Sequence, residues 1–506
     1  MKLKLSDFVF AAFSGFLTAL AFPKIGLPFL AWISFIPFLF LISRLTPGRS
    51  FLTGWTSGAL FYGVLLYWIP AVPAHYGHLS TVFSLLIYLA LILLLASTWA
   101  VFGFAFSLIH RKRAGAAFVA APFLWVTLEY ILTHLLTGFP WGILGLSQFQ
   151  NLSLIQIAAI SGVVGVSFVL VLFQSLFVYS IRLSKRPPFA LGLIVIVLVH
   201  LGGFLSLKKV PESGETFTAA VIQGNVSSDI YWNEVSTKDI LSLFEEHLDL
   251  TRRAAGQGAK LIIWPEFTVP MCFTCDDAIY QNFRRILSQF VRDAQVTLLL
   301  GTNETAGPPG REQYFNTALS LGPDLTVSKY AKMHLVPFGE YTPYKKVFGF
   351  IQKMTHAIGE VTPGTEPLLH PFKDLKFGSP ICYELIFPDL VRRFTKKGAD
   401  FLVTITNDGW YGKSSAPYQH FSNAVFRAVE NRRFILRAAT TGISGIVDPY
   451  GRVVTRSEIG TRTFLTGTVS PSKKLTFYAR WGDAFSFLCL TISAIFFIMS
   501  LLKRRP

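Results

Sequence analysis

The chain is short of charge, of cysteine and of repetition, and each shortage removes a class of protein. Only 15% of its 506 residues are charged, where soluble domains average about 25%, so a single water-soluble body is excluded. Four cysteines in so long a chain exclude a disulfide-dense secreted scaffold. No internal repeat and no low-complexity segment is present, which removes solenoids and disordered tracts. Acidic residues are the scarcer sign: 46 Lys and Arg against 29 Asp and Glu leave a formal charge of +17. The basic residues do not gather on one face or arm, as a nucleic-acid surface requires. No nucleic-acid partner is expected.

Hydrophobic residues are what the chain has in excess, 52% by count with a mean hydropathy of +0.47. Charge is sparse from residue 8 to about 207 and ordinary from 208 to 483. The chain therefore divides into a membrane region (1–207), a water-soluble domain (208–483) and a last apolar segment with a basic tail (484–506). A helix that crosses a bilayer needs about 20 mostly apolar residues. Eight stretches qualify: 8–22, 27–42, 51–69, 82–109, 116–132, 160–181, 189–207 and 484–502.

Lys and Arg in the short loops set the orientation. One set of loops carries Lys2, Lys4, Arg44, Arg49, Arg111, Lys112, Arg113, Arg182, Lys185, Arg186, Lys503, Arg504 and Arg505, and the opposite set only Lys24. Cytoplasmic loops are the basic ones, so both termini are expected in the cytoplasm. Seven crossings then leave 208–483 outside it. A basic start, an apolar run and Ala19-Leu20-Ala21 imitate a signal-peptidase site; retention of this first helix is expected.

Within 208–483, short β-rich runs at 217–222, 261–264, 296–301, 401–406 and 442–447 alternate with helical patterns at 238–255, 278–294 and 421–438. Alternation of this kind predicts an α/β domain of layered sheets.

Cys489 lies inside the last apolar stretch, where a small buried thiol is ordinary. Cys272 and Cys275 form one C-x-x-C without a second ligand pair, so a zinc site is not expected; the two could pair or simply pack. Cys382 differs. It follows the run 375–381 and precedes Tyr383, Glu384 and Pro388, where a strand gives way to a helix and free backbone N–H groups can meet a thiolate or an oxyanion. Two more ionisable residues stand in motif-like settings. Glu266 closes Trp264-Pro265-Glu266, and Lys332 opens Lys332-Met333-His334-Leu335-Val336-Pro337-Phe338-Gly339-Glu340.

These three motifs, in this order and at domain-scale spacing, resemble the Glu-Lys-Cys triad of the nitrilase superfamily. With the flanking apolar helices the whole chain resembles that superfamily's membrane-embedded branch, the apolipoprotein N-acyltransferases. Gly138-Phe139-Pro140-Trp141, Thr406-Asn407-Asp408-Gly409-Trp410 and the stretch 427–448 extend the likeness. The resemblance implies about eight transmembrane helices carrying an extracytoplasmic nitrilase-like αββα sandwich. It implies Glu266 as general base, Cys382 as nucleophile and Lys332 as stabiliser of the oxyanion, helped by a backbone N–H near Tyr383. Trp232, Glu340, Tyr383 and Glu384 match positions that order the triad or hold substrate. Trp232 could equally anchor at a membrane interface, and Glu384 could instead cap or support the helix after Cys382. Eight positions separate Lys332 from Glu340, so a loop must fold Glu340 back.

The implied reaction moves an sn-1 acyl chain from a phospholipid, phosphatidylethanolamine or a similar lipid, through a Cys thioester to the α-amino group of a diacylglyceryl-cysteine on an apolipoprotein. No cofactor and no metal are implied, and the chain is expected to act as a monomer in the bacterial inner membrane with its catalytic domain on the periplasmic side. A membrane-tethered amidase shares the triad, and a non-catalytic scaffold or transporter is the remaining alternative. Two further features are open to either reading. The segment 344–358 could be a mobile arm, with Phe348, Phe350, Ile351 and Met354 in lipid and Lys345, Lys346 and Lys353 near phosphates, or a packed surface helix. Glu129, an acid at membrane depth, is expected to face the helix bundle's interior.

Overall fold

The structure is a computed structural model; it describes residues 3–184, 186–208, 215–226, 236–267, 272–308, 311–344, 346 and 360–502. Trp232 and all of the expected arm except Tyr344 and Lys346 lie outside the described residues. The chain forms two compact units, one from 1–70, 81–209 and 476–506, the other from 71–80 and 210–475.

The first unit is helical. Among the described residues five helices are long and apolar enough to cross a membrane: Thr81–Lys112, Ala114–His134, Val163–Arg182, Pro187–Leu207 and Ala484–Leu501. The remaining expected spans differ in form. Stretch 8–22 gives the 16-residue helix Leu5–Leu20. Stretch 27–42 breaks into a 3-10 turn, Pro28–Trp32, and a helix, Ile36–Ile42, because Pro28 and Pro37 each remove a backbone donor from the ladder. Stretch 51–69 becomes Pro47–Leu65, which carries Arg49, Ser50, Thr53, Thr56 and Ser57 among its apolar residues. Small residues let these helices touch: a Cβ on Gly58 would stand 2.8 Å from the Cα of Ala96. Glu129 is buried in this unit and accepts from Trp125 Nε1 at 2.9 Å and Leu144 N at 2.8 Å. It thereby ties the segment after Gly138-Phe139-Pro140-Trp141 to its helix.

Among the described residues the second unit holds twelve strands in two six-stranded sheets. In chain order they are β1 (Phe217–Gln223), β2 (Leu261–Ile263), β3 (Thr297–Ala306), β4 (Gln313–Leu321), β5 (Val327–Ala331), β6 (Leu369–Phe372), β7 (Leu375–Gly378), β8 (Phe401–Thr406), β9 (Ile435–Ala439), β10 (Gly445–Val447), β11 (Val453–Arg456) and β12 (Thr463–Val469). The sheet orders are β12-β1-β2-β3-β4-β5 and β11-β10-β9-β8-β7-β6. Each has three parallel strands at its heart, β1-β2-β3 and β7-β8-β9, with antiparallel neighbours outside. β8 (FLVTIT) is buried at every position, as a central parallel strand covered on both faces must be.

The inner faces of the sheets meet through aromatic rings. Phe217 of one lies 4.6 Å from Phe372 and 5.1 Å from Phe401 of the other. Helices Thr237–Gly256 and Ala278–Ala294 cover the first sheet, their Phe244 and Phe283 rings stacked 4.0 Å apart. Ser236 and Asp277 cap their first turns by accepting from Asp239 N and Ile279 N. Helices Pro388–Lys396 and Ala416–Asn431 cover the second sheet. The architecture is αββα.

One expected helix is shorter than its pattern. Residues 421–438 read as a continuous helix, but Arg432 turns into the left-handed region at φ +50° and Ile435–Ala439 forms the parallel strand β9. β9 is buried at every position, and a segment with no exposed face has no period to tell strand from helix.

Candidate active site

The site residues stand at the carboxyl ends of parallel strands, where α/β sheets open onto crevices. β2 runs into Trp264-Pro265-Glu266, β7 into Cys382 and β8 into Asn407-Asp408, while β5 ends beside Lys332. Glu266, Lys332, Glu340, Cys382 and Glu384 are all at most 5% exposed.

Lys332 Nζ lies 2.9 Å from Glu340 Oε1 and 3.5 Å from Glu266 Oε1. The fold-back of Glu340 is a tight turn: Glu340 N donates to Val336 O, Phe338 N to Tyr341 O, and Phe338 sits at φ +62°. Val336 N then donates to Glu340 Oε2 at 2.7 Å, fixing the carboxylate. Asn316 of β4 donates Nδ2 to Glu266 Oε1 at 2.7 Å and to Glu340 Oε1 at 2.9 Å. Glu266 Oε2 accepts from Asn407 N at 2.9 Å. One ammonium and one amide thus bridge two carboxylates. Burial works against the Lys332 charge, yet Glu340, Glu266 and Cys382 outweigh it and hold the ammonium above its ordinary value. It stays a fixed cation.

Cys382 is a free, buried thiol at φ +50°, a conformation costly for a non-glycine residue and frequent where a side chain must be presented. Burial pushes its thiol up, the Glu266 charge adds to this, and Lys332 offsets only part. A resting thiolate is therefore disfavoured.

Glu384 spends its carboxylate on structure. Oε1 accepts from Tyr330 OH at 2.7 Å, Met333 N at 2.7 Å and His334 N at 3.0 Å, and Oε2 accepts from Ile381 N at 2.7 Å. It locks the Lys332 strand end to the Cys382 turn. Tyr383 packs its ring against His334 and Phe387, 5.7 and 5.2 Å between centroids.

Three groups were not among the expected site residues, although Asp408 lies in the motif at 406–410 and Arg437 in the stretch 427–448. Asn316 shows only as one of several polar residues in its strand, beside Gln313, Thr317 and Ser320. Asp408, His420 and Arg437 form a buried cluster behind the cysteine: Asp408 Oδ1 lies 2.9 Å from His420 Nδ1 and Asp408 Oδ2 2.7 Å from Arg437 Nη2. Tyr76, from the short segment 71–80, donates its hydroxyl to Gly409 O at 3.2 Å; no sequence signal links it to the site. Cys272 and Cys275 form a disulfide. Among the described residues, no three His, Cys, Asp or Glu side chains converge as a metal site would need.

Comparison with known proteins covers both units. Residues 218–473 match the carbon-nitrogen hydrolase family, and residues 14–176 match the apolipoprotein N-acyltransferase N-terminal domain. The chain is 37% identical over 501 residues to the apolipoprotein N-acyltransferase of Geobacter metallireducens, covering 97% of this chain and 94% of that one. It is 32% identical to that of Azotobacter vinelandii over 91% and 89% of the two chains. Among solved structures, a Saccharomyces cerevisiae member of branch 10 of the nitrilase superfamily aligns with 54% of this chain and 96% of its own, at 20% identity and a TM-score of 0.41.

Proposed function

The chain belongs to the apolipoprotein N-acyltransferase family, and from that premise we propose that Cys382 carries the acyl group between the two substrates, with Glu266 as its base and Lys332 as the oxyanion's counter-charge. The protein is a membrane acyltransferase that takes an acyl chain from a phospholipid and gives it to the N-terminus of an apolipoprotein. The placement of Lys332 between Glu266 and Glu340, across from a thiol held at a left-handed turn, carries this assignment.

In the first half-reaction the Cys382 sulfur attacks the donor ester carbonyl while Glu266 takes the S–H proton. Negative charge gathers on the carbonyl oxygen, facing Lys332 and the Tyr383 N–H. Collapse breaks the ester C–O bond; the lysophospholipid alkoxide leaves with the proton from Glu266, and a thioester remains. In the second half the α-amino group of the acceptor attacks the thioester, Glu266 takes its proton, and the C–S bond breaks. The thiolate recovers the proton and the amide departs. Glu340 keeps Lys332 in place, and Glu384 keeps the two motifs together.

Phosphatidylethanolamine as donor, an sn-1 acyl chain, and a monomeric enzyme complete the reading. The membrane is the inner membrane, crossed eight times, with residues 208–483 on the periplasmic side and both termini in the cytoplasm. The thirteen-to-one distribution of short-loop Lys and Arg supports that orientation. So does the Cys272–Cys275 disulfide, a bond that persists in oxidising compartments.

Mass spectrometry of the purified enzyme incubated with phosphatidylethanolamine tests the chemistry. An acyl mass on Cys382, absent from Cys382→Ala and discharged by a diacylglyceryl lipopeptide, is the expected result. Full turnover by Cys382→Ala overturns it. Thiol labelling of intact cells tests the orientation: Lys413→Cys should react from outside and Lys112→Cys only after permeabilisation.

A further inference from the structure

Behind Cys382 lies a group the reaction scheme above leaves unused. His420 projects from the buried helix Ala416–Asn431, and its Nε2 lies 3.1 Å from the carbonyl oxygen of Cys382. A carbonyl only accepts, so the proton of this bond sits on Nε2. The other ring nitrogen, Nδ1, is flanked by two groups of opposite kind: Asp408 Oδ1 at 2.9 Å, an acceptor, and Arg437 Nη2 at 3.1 Å, a donor. When the ring is neutral, Arg437 supplies the hydrogen that Nδ1 lacks. When it is protonated, Asp408 receives the hydrogen it has gained. Either way Nε2–H remains aimed at the Cys382 carbonyl. Arg437 is itself held by Asp408 Oδ2 at 2.7 Å and by the carbonyl of Ile443 at 3.1 Å, and Thr406 Oγ1 lies 3.2 Å from Asp408 Oδ1. His420, Asp408 and Arg437 are each at most 1% exposed.

The consequence falls on the next amide. The peptide unit joining Cys382 to Tyr383 is planar, and in the trans form its C=O and N–H point to opposite sides. Holding the Cys382 oxygen from behind therefore fixes the direction of the Tyr383 N–H in front. Polarising the carbonyl also strengthens that N–H as a donor. We propose that His420 is the positioning residue of the oxyanion hole: through the Cys382 carbonyl it aims the Tyr383 amide at the oxygen that Lys332 faces, with Asp408 and Arg437 keeping its donor hydrogen on Nε2. The φ of +50° at Cys382 gives the device its purpose. A strained turn left alone relaxes by rotating the adjoining peptide plane, and that rotation would swing the donor away.

The assignment rests on the acyl-transfer reading, and two measurements separate their fates. In the first, full-length protein in phosphatidylethanolamine vesicles is followed by mass spectrometry through a single round of Cys382 acylation. His420→Ala should lower the rate at saturating lipid by about 10- to 100-fold, less than the roughly 10²–10³ lost when an oxyanion donor is removed outright, with the half-saturating lipid concentration unchanged. His420→Gln, whose side-chain amide can reach the same carbonyl, should recover most of that loss. Equal rates for the Ala and Gln variants, or a loss confined to half-saturation, overturn the proposal. The second measurement needs no active variant: in the unaltered enzyme labelled with 15N-histidine, the resonance missing from His420→Gln should show Nε2 protonated across the neutral range. A neutral ring protonated on Nδ1 overturns the proposal. An unaltered enzyme that takes up no acyl group refutes acyl transfer instead, and the resonance still decides the donor.

Discussion

Tyr76 and Trp410 meet edge to face, ring centroids 4.8 Å apart at 78°. The hydroxyl of Tyr76 also reaches the Gly409 carbonyl. Tyr76 belongs in sequence to the connection between helices Pro47–Leu65 and Thr81–Lys112, yet the segment 71–80 is part of the compact unit that holds the site. It braces the turn Asp408–Tyr411, and Asn407 at the head of that turn holds Glu266. Tyr76→Phe removes one hydrogen bond, worth about 0.5–1.5 kcal/mol, and should slow Cys382 acylation by at most about tenfold. Tyr76→Ala removes the ring contact as well and should slow it further. Measured in single-turnover acylation, an unimpaired Tyr76→Ala enzyme refutes this bracing role.

The Glu266 charge has two effects on Cys382 that one substitution can separate. It raises the thiol's pKa, second only to burial, and it is the proposed acceptor of the thiol's proton. In Glu266→Gln the first effect disappears, so the pH at which iodoacetamide begins to alkylate Cys382 should fall. Acylation by phospholipid should meanwhile drop by about 10²–10⁴-fold, the range for a lost general base. A variant in which alkylation shifts upward contradicts the electrostatics of the site.

How much of this was legible beforehand depends on whether a residue's partner is near it in sequence or across the fold. Trp264-Pro265-Glu266 follows the apolar run 261–263 and Cys382 the run 375–381, so their places at strand ends could be read directly. The strands β4, β5, β6, β11 and β12 were not among the expected ones; β5, β6 and β11 carry polar or exposed residues and are held by their neighbours rather than by their own pattern. Asn316 was hidden because its meaning comes from register: β4 pairs Thr317 with Ala331, which sets Asn316 beside Lys332, whose N–H donates to the Asn316 carbonyl. His420 was hidden for a similar reason. Its partner is a carbonyl 38 positions away, and backbone acceptors leave no trace in a sequence.

Asp408 gives the fold a pH limit whose direction follows from its neighbours. Burial would raise its pKa, but Arg437 and His420 outweigh that and hold the carboxyl down at about 2, from an ordinary 3.8. A depressed carboxylate contributes stability above its unfolded pKa and loses it as pH falls through the folded one. The contribution should be complete at neutral pH and fade between roughly pH 4 and pH 2. Asp408→Asn should melt well below the unaltered protein at pH 7, and the gap between the two should close across that acid window. A gap that stays constant would mean that packing, not charge, accounts for it.

Gly301 offers the sharpest test of how closely Glu266, the proposed base, must be held, because it touches the site only through backbone. It lies on β3, and a Cβ there would stand 2.7 Å from the Cα of Glu266 and 2.9 Å from both Phe267 N and Pro265 O. None of these atoms is the end of a flexible side chain, so Gly301→Ala has to push the Trp264-Pro265-Glu266 turn outward. Overpacking of this kind costs about 1–3 kcal/mol, which a domain with this much buried apolar surface should survive. Catalysis is less tolerant, since a displacement of about 1 Å can cost about 10²-fold in rate. Cys382 and Lys332 stand on other strands and keep their own supports, Lys332 through Glu340 and Cys382 through Glu384 and His420. Gly301→Ala should therefore retain a folded protein whose Cys382 still reacts with iodoacetamide, while single-turnover acylation falls by about two orders of magnitude. Acylation at the unaltered rate would show that Glu266 can move without consequence, and its role as the base would fall with that result.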